Sequence, residues 1–472
     1  MITTMEPKLT GWKSALIRVF ALATFIAMVS ACATLPNASE VIDTVSADQI
    51  PLRVQSARKI LSAKQSKALI ERLKKSADPT DVLERQSAVV EAVSGSSPFK
   101  GNRVELLVDG PATYAAMFRA IEEARSSINL ETFIFEDDET GRKLADLLIR
   151  KRQAGVQVNI MYDSVGSINT PESFFHKLRE NGINVVEFNP VSPLKDKGKL
   201  PVTMRDHRKI LVVDGRLAIT GGVNISQVYA SRFSGAEAGE GREFPWRDTD
   251  VLLEGPVVAE LQKIFFRAWK WQKGPELPEK VYFPEVKEAG AELVQVVASR
   301  PGELGRTTYI MYVSAVTFAE RSVHLTVSYF IPDEQVADAL VDAARRGVDV
   351  KIIVPKTSDS SLVLYAGQYY YDELLEAGVR MYELRNSVLH AKTAVIDGIW
   401  STVGSTNLDF WSFSQNFEVN TVILGNTFAA QMETMFARDL AGSDEITEES
   451  WDDRPLFSRI REWFAHLFAD ML

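Results

Sequence analysis

"SSINLETFIFEDDETGRKLADLLIRKRQAGVQVNIMYDS", residues Ser126 to Ser164, passes through an apolar strand, an acidic turn, an amphipathic helix, a Gly-Val step and a second apolar strand. Strands alternating with a helix of this length indicate βαβ units and parallel pairing. The layout recurs from Arg321 to Asp359 as "RSVHLTVSYFIPDEQVADALVDAARRGVDVKIIVPKTSD", a few residues shorter in the turn. The repeat implies two similar lobes, residues 101–273 and 281–441, joined by the Pro-containing "GPELPEK". The expected fold is α/β, each lobe a mixed, largely parallel sheet flanked by helices.

A second duplication lies inside the first. "DHRKILVVDGRLAITGGVNIS" from Asp206 and "LHAKTAVIDGIWSTVGSTNLD" from Leu389 place His207, Lys209, Asp214, Gly221, Gly222 and Asn224 in register with His390, Lys392, Asp397, Gly404, Ser405 and Asn407. Each apolar run, 210–213 and 393–396, ends in an Asp-Gly turn, so each copy reads as a hairpin with polar groups at one end. Residues two apart on a strand point to the same side, so each His-x-Lys aims an imidazole and an ammonium into one space.

The paired pattern resembles the phospholipase D superfamily, whose signature is H-x-K-x4-D-x6-G-[SG]-x-N, and within it the bacterial cardiolipin synthases. "LETFIFEDDETG", "GGVNIS", "ALVDAARRGVDVKIIVP" and "GSTNLD" carry the same likeness, over roughly residues 101–426. The resemblance implies that the lobes pack with pseudo-twofold symmetry and that the two motifs meet in one site at their interface. It carries over His207, Lys209, Asp214, His390, Lys392 and Asp397 as the catalytic motif residues. Within that set, Asp214 and Asp397 close the hairpins and read as supporting rather than reacting groups. The resemblance makes His207 the nucleophile and His390 the general acid and base; the symmetry leaves the reverse open. Glu418 in "NFEV" and Asp248 in "WRDTD" align with the acids that orient the histidines, Asp248 standing where Glu is more usual.

The chemistry suits these residue types. Cleaving a phosphodiester needs a nucleophile, a proton for the leaving alcohol, and positive charge where the phosphoryl oxygens gain negative charge. One neutral imidazole attacks phosphorus while the other, protonated, serves the leaving and entering oxygens. Lys209 and Lys392 supply fixed charge, and Asn224, Ser405 and Asn407 are expected to bind the same oxygens. No cofactor or metal is expected, since one cysteine and five dispersed histidines offer no cluster with ligand spacing.

Composition narrows the partners. The 472-residue chain carries a net charge of −10 and a pI near 5.3, so the basic footprint of a general nucleic-acid binder is missing and no nucleic acid is expected. The substrates implied by the resemblance are phospholipids, phosphatidylglycerol and possibly phosphatidylethanolamine. Hydrolysis to phosphatidic acid is the alternative outcome, a family nuclease the more remote one, and a non-catalytic scaffold is hard to reconcile with two intact motifs.

Residues 1–32 read as a secretory leader: Lys8, Lys13 and Arg18, then apolar Val19 to Val29, then "VSAC". The tetrapeptide resembles a lipobox, so Cys32 is expected to be lipidated and to anchor the protein at a bacterial membrane, facing the periplasm or cell exterior. With Ala33 after Cys32, the outer membrane is favoured where the host has one. Residues 33–100 read as a helical spacer between membrane and catalytic body. Lys195, Lys197, Lys199 and Arg205 precede the first motif as a basic stretch able to steer anionic lipid. The loop from Ser231 to Trp246 reads as a mobile insertion. In the tail, 442–472, Ile460, Trp463, Phe464, Leu467, Phe468 and Met471 form one helix face, expected to pack on the protein rather than lie in a lipid interface.

Overall fold

The structure, a computed structural model, describes residues 35–47, 52–75, 81–191, 203–231, 244–302 and 306–472. The leader with Cys32, the lysines at 195, 197 and 199, and most of the loop after the first motif lie outside these residues.

In the first half the strands are β1 (Phe99–Val108), β2 (Ser127–Thr132), β3 (Gln157–Asp163), β4 (Asn184–Phe188), β5 (Ile210–Val213), β6 (Leu217–Gly221), β7 (Trp246–Arg247) and β8 (Thr249–Glu254). The second half contributes β9 (Glu292–Ser299), β10 (Ser322–Val327), β11 (Asp349–Thr357), β12 (Arg380–Leu389), β13 (Lys392–Ile396), β14 (Trp400–Gly404), β15 (Glu418–Leu424) and β16 (Ser443–Ile446). They form one mixed sheet in the order β16-β12-β11-β10-β13-β14-β15-β9-β1-β8-β6-β5-β2-β3-β4, with β7 beside β12. Outward from the central β9–β1 pair, β15, β14, β13, β10, β11 and β12 mirror β8, β6, β5, β2, β3 and β4.

The α/β class and the mixed sheet stand, but the sheet is not largely parallel. Parallel pairing is confined to β2-β3-β4, β10-β11-β12 and the short β7–β12 contact. The rest pair antiparallel, among them the motif hairpins β5–β6 and β13–β14, whose short turns require that direction.

The duplicated stretch forms strand, helix and strand for local reasons that both copies share. Asp138 caps the helix Glu139–Gln153 by accepting from the Gly141 amide at 2.8 Å, and Asp333 caps Glu334–Arg345 through the Val336 amide at 3.2 Å. Gly155 and Gly347, both at φ +89°, let the chain leave each helix. The apolar hairpin strands are buried on both faces. Ile210 and Val212 join a central core with Val251, Val294, Val395 and Val403, whereas Leu211 and Val213 join the outer core of the first half.

The residues expected to act as a spacer are helical but are built into the body. Ala38, Ile42, Val82, Leu83, Val89 and Val90 pack with Leu293, Tyr309, Ile310 and Trp400 in the core of the second half, and Trp400 donates its indole N–H to Gln86 at 2.9 Å. The C-terminal helix, Leu456–His466, also departs from expectation: its apolar stripe is exposed, and Glu462 and Ala465 face inward. Among the described residues no helix is long and apolar enough to cross a membrane.

Asp214 and Asp397 occupy the hairpin turns, both at φ 52°. Asp214 accepts from the amides of Arg125, Ser126 and Ser127 at 2.8, 2.7 and 2.9 Å, tying the turn to the start of β2. Asp397 does the same for Arg321 and Ser322 at 2.8 and 3.0 Å. Asp214→Ala is therefore expected to lower stability by about 3 kcal/mol, since three amides lose a charged acceptor. An unchanged urea-unfolding midpoint would contradict this clamp.

Candidate active site

The site is assembled by short strand contacts that cross between the halves. Phe417 donates its amide to Arg205 at 2.8 Å and His207 donates to Phe417 at 3.0 Å; in the mirrored contact, Val388 donates to Pro245 at 3.0 Å and His390 to Arg247 at 2.8 Å. The segment leading into each motif thus lies against the segment carrying the other half's acid. Consequently Glu418 reaches His207 and Asp248 reaches His390.

The side-chain geometry follows. His207 Nδ1 lies 3.1 and 3.2 Å from the two oxygens of Glu418, and His390 Nδ1 lies 2.7 Å from Asp248 Oδ2. Both acids are fully buried, while each histidine keeps 7 % of its surface exposed. A carboxylate at Nδ1 fixes the tautomer with the proton there and leaves the Nε2 lone pair for chemistry. Neither Nε2 has a hydrogen-bond partner among the described residues.

The lysines complete the centre. Lys209 Nζ donates to the His207 carbonyl at 2.6 Å and Lys392 Nζ to the His390 carbonyl, so each ammonium stays beside its own imidazole. Burial holds Lys209 down to about 7, with the Lys392 charge adding to the effect, and holds Lys392 down to about 8. Burial and then Lys209 push His207 below the usual histidine range despite Glu418; burial and the charges of Lys392, Lys209 and His207 push His390 well below it. Burial raises Asp248 to about 6, against the pull of Lys392. The lysines' mutual effect and that of His207 on His390 place both motifs in one electrostatic centre, which an incoming anion would stabilise.

The other residues expected from sequence divide into two groups. Asn224 and Asn407 lie in the site region and also brace it: Asn224 accepts from the Ile134 amide at 3.1 Å and donates to Tyr229 Oη at 3.0 Å, and Asn407 accepts from Ser328 Oγ at 2.7 Å. Ser405, expected to bind substrate, instead donates its hydroxyl to Glu418 and accepts from the Val419 amide at 3.0 Å. Its role here is to hold the acid. Asp214 and Asp397 sit at the opposite ends of β5 and β13 from the histidines, where their carboxylates accept from backbone amides.

Aromatic neighbours of the histidines were not singled out from sequence. Phe133 meets His207 edge-on at 5.1 Å and lies 5.2 Å from Lys209 Nζ. His390 is flanked by Trp246 at 5.2 Å, Tyr229 at 5.6 Å and Tyr329 at 6.5 Å, with Tyr229 Oη 3.4 Å from its Nδ1. A signal existed: the turn after the first strand of the repeat carries an aromatic in both copies, Phe133 and Tyr329. Among the described residues no group of three or more His, Cys, Asp or Glu is placed to hold a metal.

Comparison with known proteins agrees with this geometry. The family model for "Cardiolipin synthase, PLD-like domain" matches residues 117–232 and 312–440. A cardiolipin synthase of Geobacillus sp. (strain WCH70) is 35% identical over 387 residues, covering 80% of this chain and 74% of the relative. Cardiolipin synthase A of Pseudomonas putida is 38% identical over 371 residues, 79% of this chain and 75% of the relative. Among solved structures, the phosphatidylserine synthase of Haemophilus influenzae Rd KW20 shares the fold at a TM-score of 0.62 and 13% identity, over 82% of this chain and 98% of that one. With matches of this extent across both motif-bearing halves, the chain belongs to the phospholipase D-like family of cardiolipin synthases and is a phosphatidyltransferase of that type.

Proposed function

We propose that this enzyme makes cardiolipin from two molecules of phosphatidylglycerol through a phosphatidyl-histidine, at a membrane. The observation that carries the reading is the pair of imidazoles, each anchored at Nδ1 by the other half's carboxylate, each with an Nε2 that no described residue hydrogen-bonds, and each with a buried lysine on its backbone carbonyl.

His207 Nε2 attacks phosphorus, the bond from phosphorus to the glycerol oxygen breaks, and protonated His390 gives that oxygen its proton. The phosphorylated imidazole retains its Nδ1 proton and is cationic, a charge that Glu418 stabilises. The headgroup hydroxyl of a second phosphatidylglycerol then gives its proton to His390 and attacks phosphorus, and breaking the N–P bond restores neutral His207. Two phosphatidylglycerols yield one cardiolipin and one glycerol. His390 is held neutral in the free enzyme, so it takes up its proton as the anionic diester arrives and offsets the lysine charges.

Transfer rather than hydrolysis requires the lipid alcohol to outcompete water, and orientation in a closed site supplies effective molarities of roughly 10⁵ M or more. The aromatic rings around both histidines favour such a dry setting. Purified enzyme with phosphatidylglycerol in mixed micelles is expected to release cardiolipin and glycerol, with phosphatidic acid minor. Phosphatidylethanolamine is the second donor to test. In the same assay labelled lipid should attach covalently to the His390→Ala enzyme and not to His207→Ala. Dominant phosphatidic acid at every acceptor concentration would overturn the transferase reading, and label on His207→Ala would reverse the two roles.

The pH dependence follows from the buried charges. Asp248 loses its negative charge below about 6, releasing His390, and Lys209 and Lys392 lose their positive charge above about 7 and 8. The kcat/KM profile is expected to be a bell with limbs in those ranges. The kcat profile should extend further on the alkaline side, because bound anion favours charged lysines. A kcat/KM flat across all three values would contradict this electrostatic account.

The leader supports anchoring through lipidated Cys32 on the periplasmic or exterior side of a bacterial membrane. Cys32→Ser should leave an uncleaved precursor without fatty-acid label; labelling that persists would remove the anchor.

A further inference from the structure

An amphipathic helix on a folded body ordinarily turns its apolar stripe inward. In Leu456–His466 the inward positions are Glu462 and Ala465. Leu456, Phe457, Ile460, Trp463, Phe464 and, just beyond the helix, Leu467 are between 53% and 74% exposed. Their spacing of three and four places them on one stripe.

Specific polar contacts hold the helix this way round. Glu462 accepts from Arg454 Nε at 3.0 Å, and Arg454 also pairs with Asp372 at 2.7 Å. His466 stacks on Tyr369 at 3.8 Å and Arg461 lies 3.6 Å over Tyr365, fastening the inner face to the helix Ser361–Gln368. With Glu462 withdrawn, the exposed ionisable side chain on Leu456–His466 is Arg459, which donates to the Asp452 carbonyl at 2.6 Å and lies 3.9 Å from its carboxylate. Aromatic and aliphatic side chains, a tryptophan among them, match the interfacial zone of a bilayer.

The helix Ser361–Gln368, which supports the inner face, leads back toward the histidines. Asp359, just before the cap of that helix, accepts from Tyr329 Oη at 2.7 Å, and the Tyr329 ring is 6.5 Å from His390. The last residue, Leu472, accepts from the amide of Trp411, four residues after Asn407. The phospholipid substrates implied by the chain's family favour lipid over a second copy as the occupant of the stripe.

We propose that the exposed stripe of the C-terminal helix docks the enzyme on a phospholipid bilayer, with Phe457, Ile460, Trp463, Phe464 and Leu467 in the interface. The inference rests on the phospholipid reading of the site. The test uses the full-length protein and vesicles of phosphatidylglycerol and phosphatidylethanolamine carrying brominated acyl chains. Tryptophan quenching should appear with these vesicles and lose the Trp463 contribution in Trp463→Phe. A triple variant, Phe457→Ser with Ile460→Ser and Phe464→Ser, should turn over vesicle lipid at least about tenfold more slowly than its parent. On short-chain phosphatidylglycerol below its micellar concentration the two should stay within about twofold, since the centre is untouched. Absence of Trp463 quenching, or equal vesicle rates for parent and triple variant, would overturn the docking; a parent dimer that the triple variant splits without slowing on vesicles would assign the face to a second copy. A parent inactive on the short-chain lipid but quenched at Trp463 would reject the enzymatic reading and leave the docking supported.

Discussion

Each motif imidazole is held by a carboxylate that belongs to the other half of the chain. A buried carboxylate is costly unless its oxygens are satisfied, and Glu418 and Asp248 are both fully buried. Glu418 is satisfied by His207 and Ser405, and Asp248 by His390 and the amide of Thr249 at 2.8 Å. Pulling the halves apart would strand both acids and both imidazoles at once. The central core of β5, β6 and β8 against β9, β13, β14 and β15 therefore maintains the catalytic geometry as well as joining the halves.

Buried arginines secure the backbone on which this crossing depends. Arg247, whose carbonyl receives the His390 amide, is fully buried and bonds Asp439 at 2.6 Å and the Thr249 hydroxyl at 2.8 Å. Arg208, next to His207, bonds Asp206 at 2.8 Å and Glu131 at 2.7 Å and lies 5.0 Å over Phe417. These paired cations keep their charge. Lys209 and Lys392, set among the histidines, are instead pulled down by burial to about 7 and about 8. Buried lysines beside two imidazoles give the site a setting that favours an incoming phosphodiester.

The symmetry is broken where the chemistry requires different partners. Ser405 donates to Glu418, whereas the matching residue is Gly222, where a Cβ would collide with the Asp248 carboxylate. The longer acid is paired with a hydroxyl, whereas the shorter acid fills the space that a Cβ at Gly222 would need. His390 has Tyr229, Trp246 and Tyr329 around it, but His207 has Phe133. The deeper depression of the His390 pKa agrees with this more crowded setting.

The sequence by itself determined what repeats locally. Strand, cap, helix and glycine exit were legible in Ser126–Ser164 and Arg321–Asp359 because each depends on residues a few positions apart. The hairpins carrying His207, Lys209, His390 and Lys392 were legible for the same reason, and Asp214 and Asp397 could be read as turn residues from their Asp-Gly setting. Glu418 and Asp248 came from resemblance, and nothing local indicated which histidine each would serve. That pairing spans 211 and 142 residues and arises from strand contacts between the halves. Sheet direction, the diversion of Ser405 to Glu418 and the absorption of the N-terminal helices into the core likewise depended on distant partners. The last helix shows the limit most clearly: its stripe was plain at Ile460, Trp463, Phe464 and Leu467, but helical periodicity says only that two faces differ. Which face turned inward was decided in three dimensions by Arg454 on Glu462 and Tyr369 on His466.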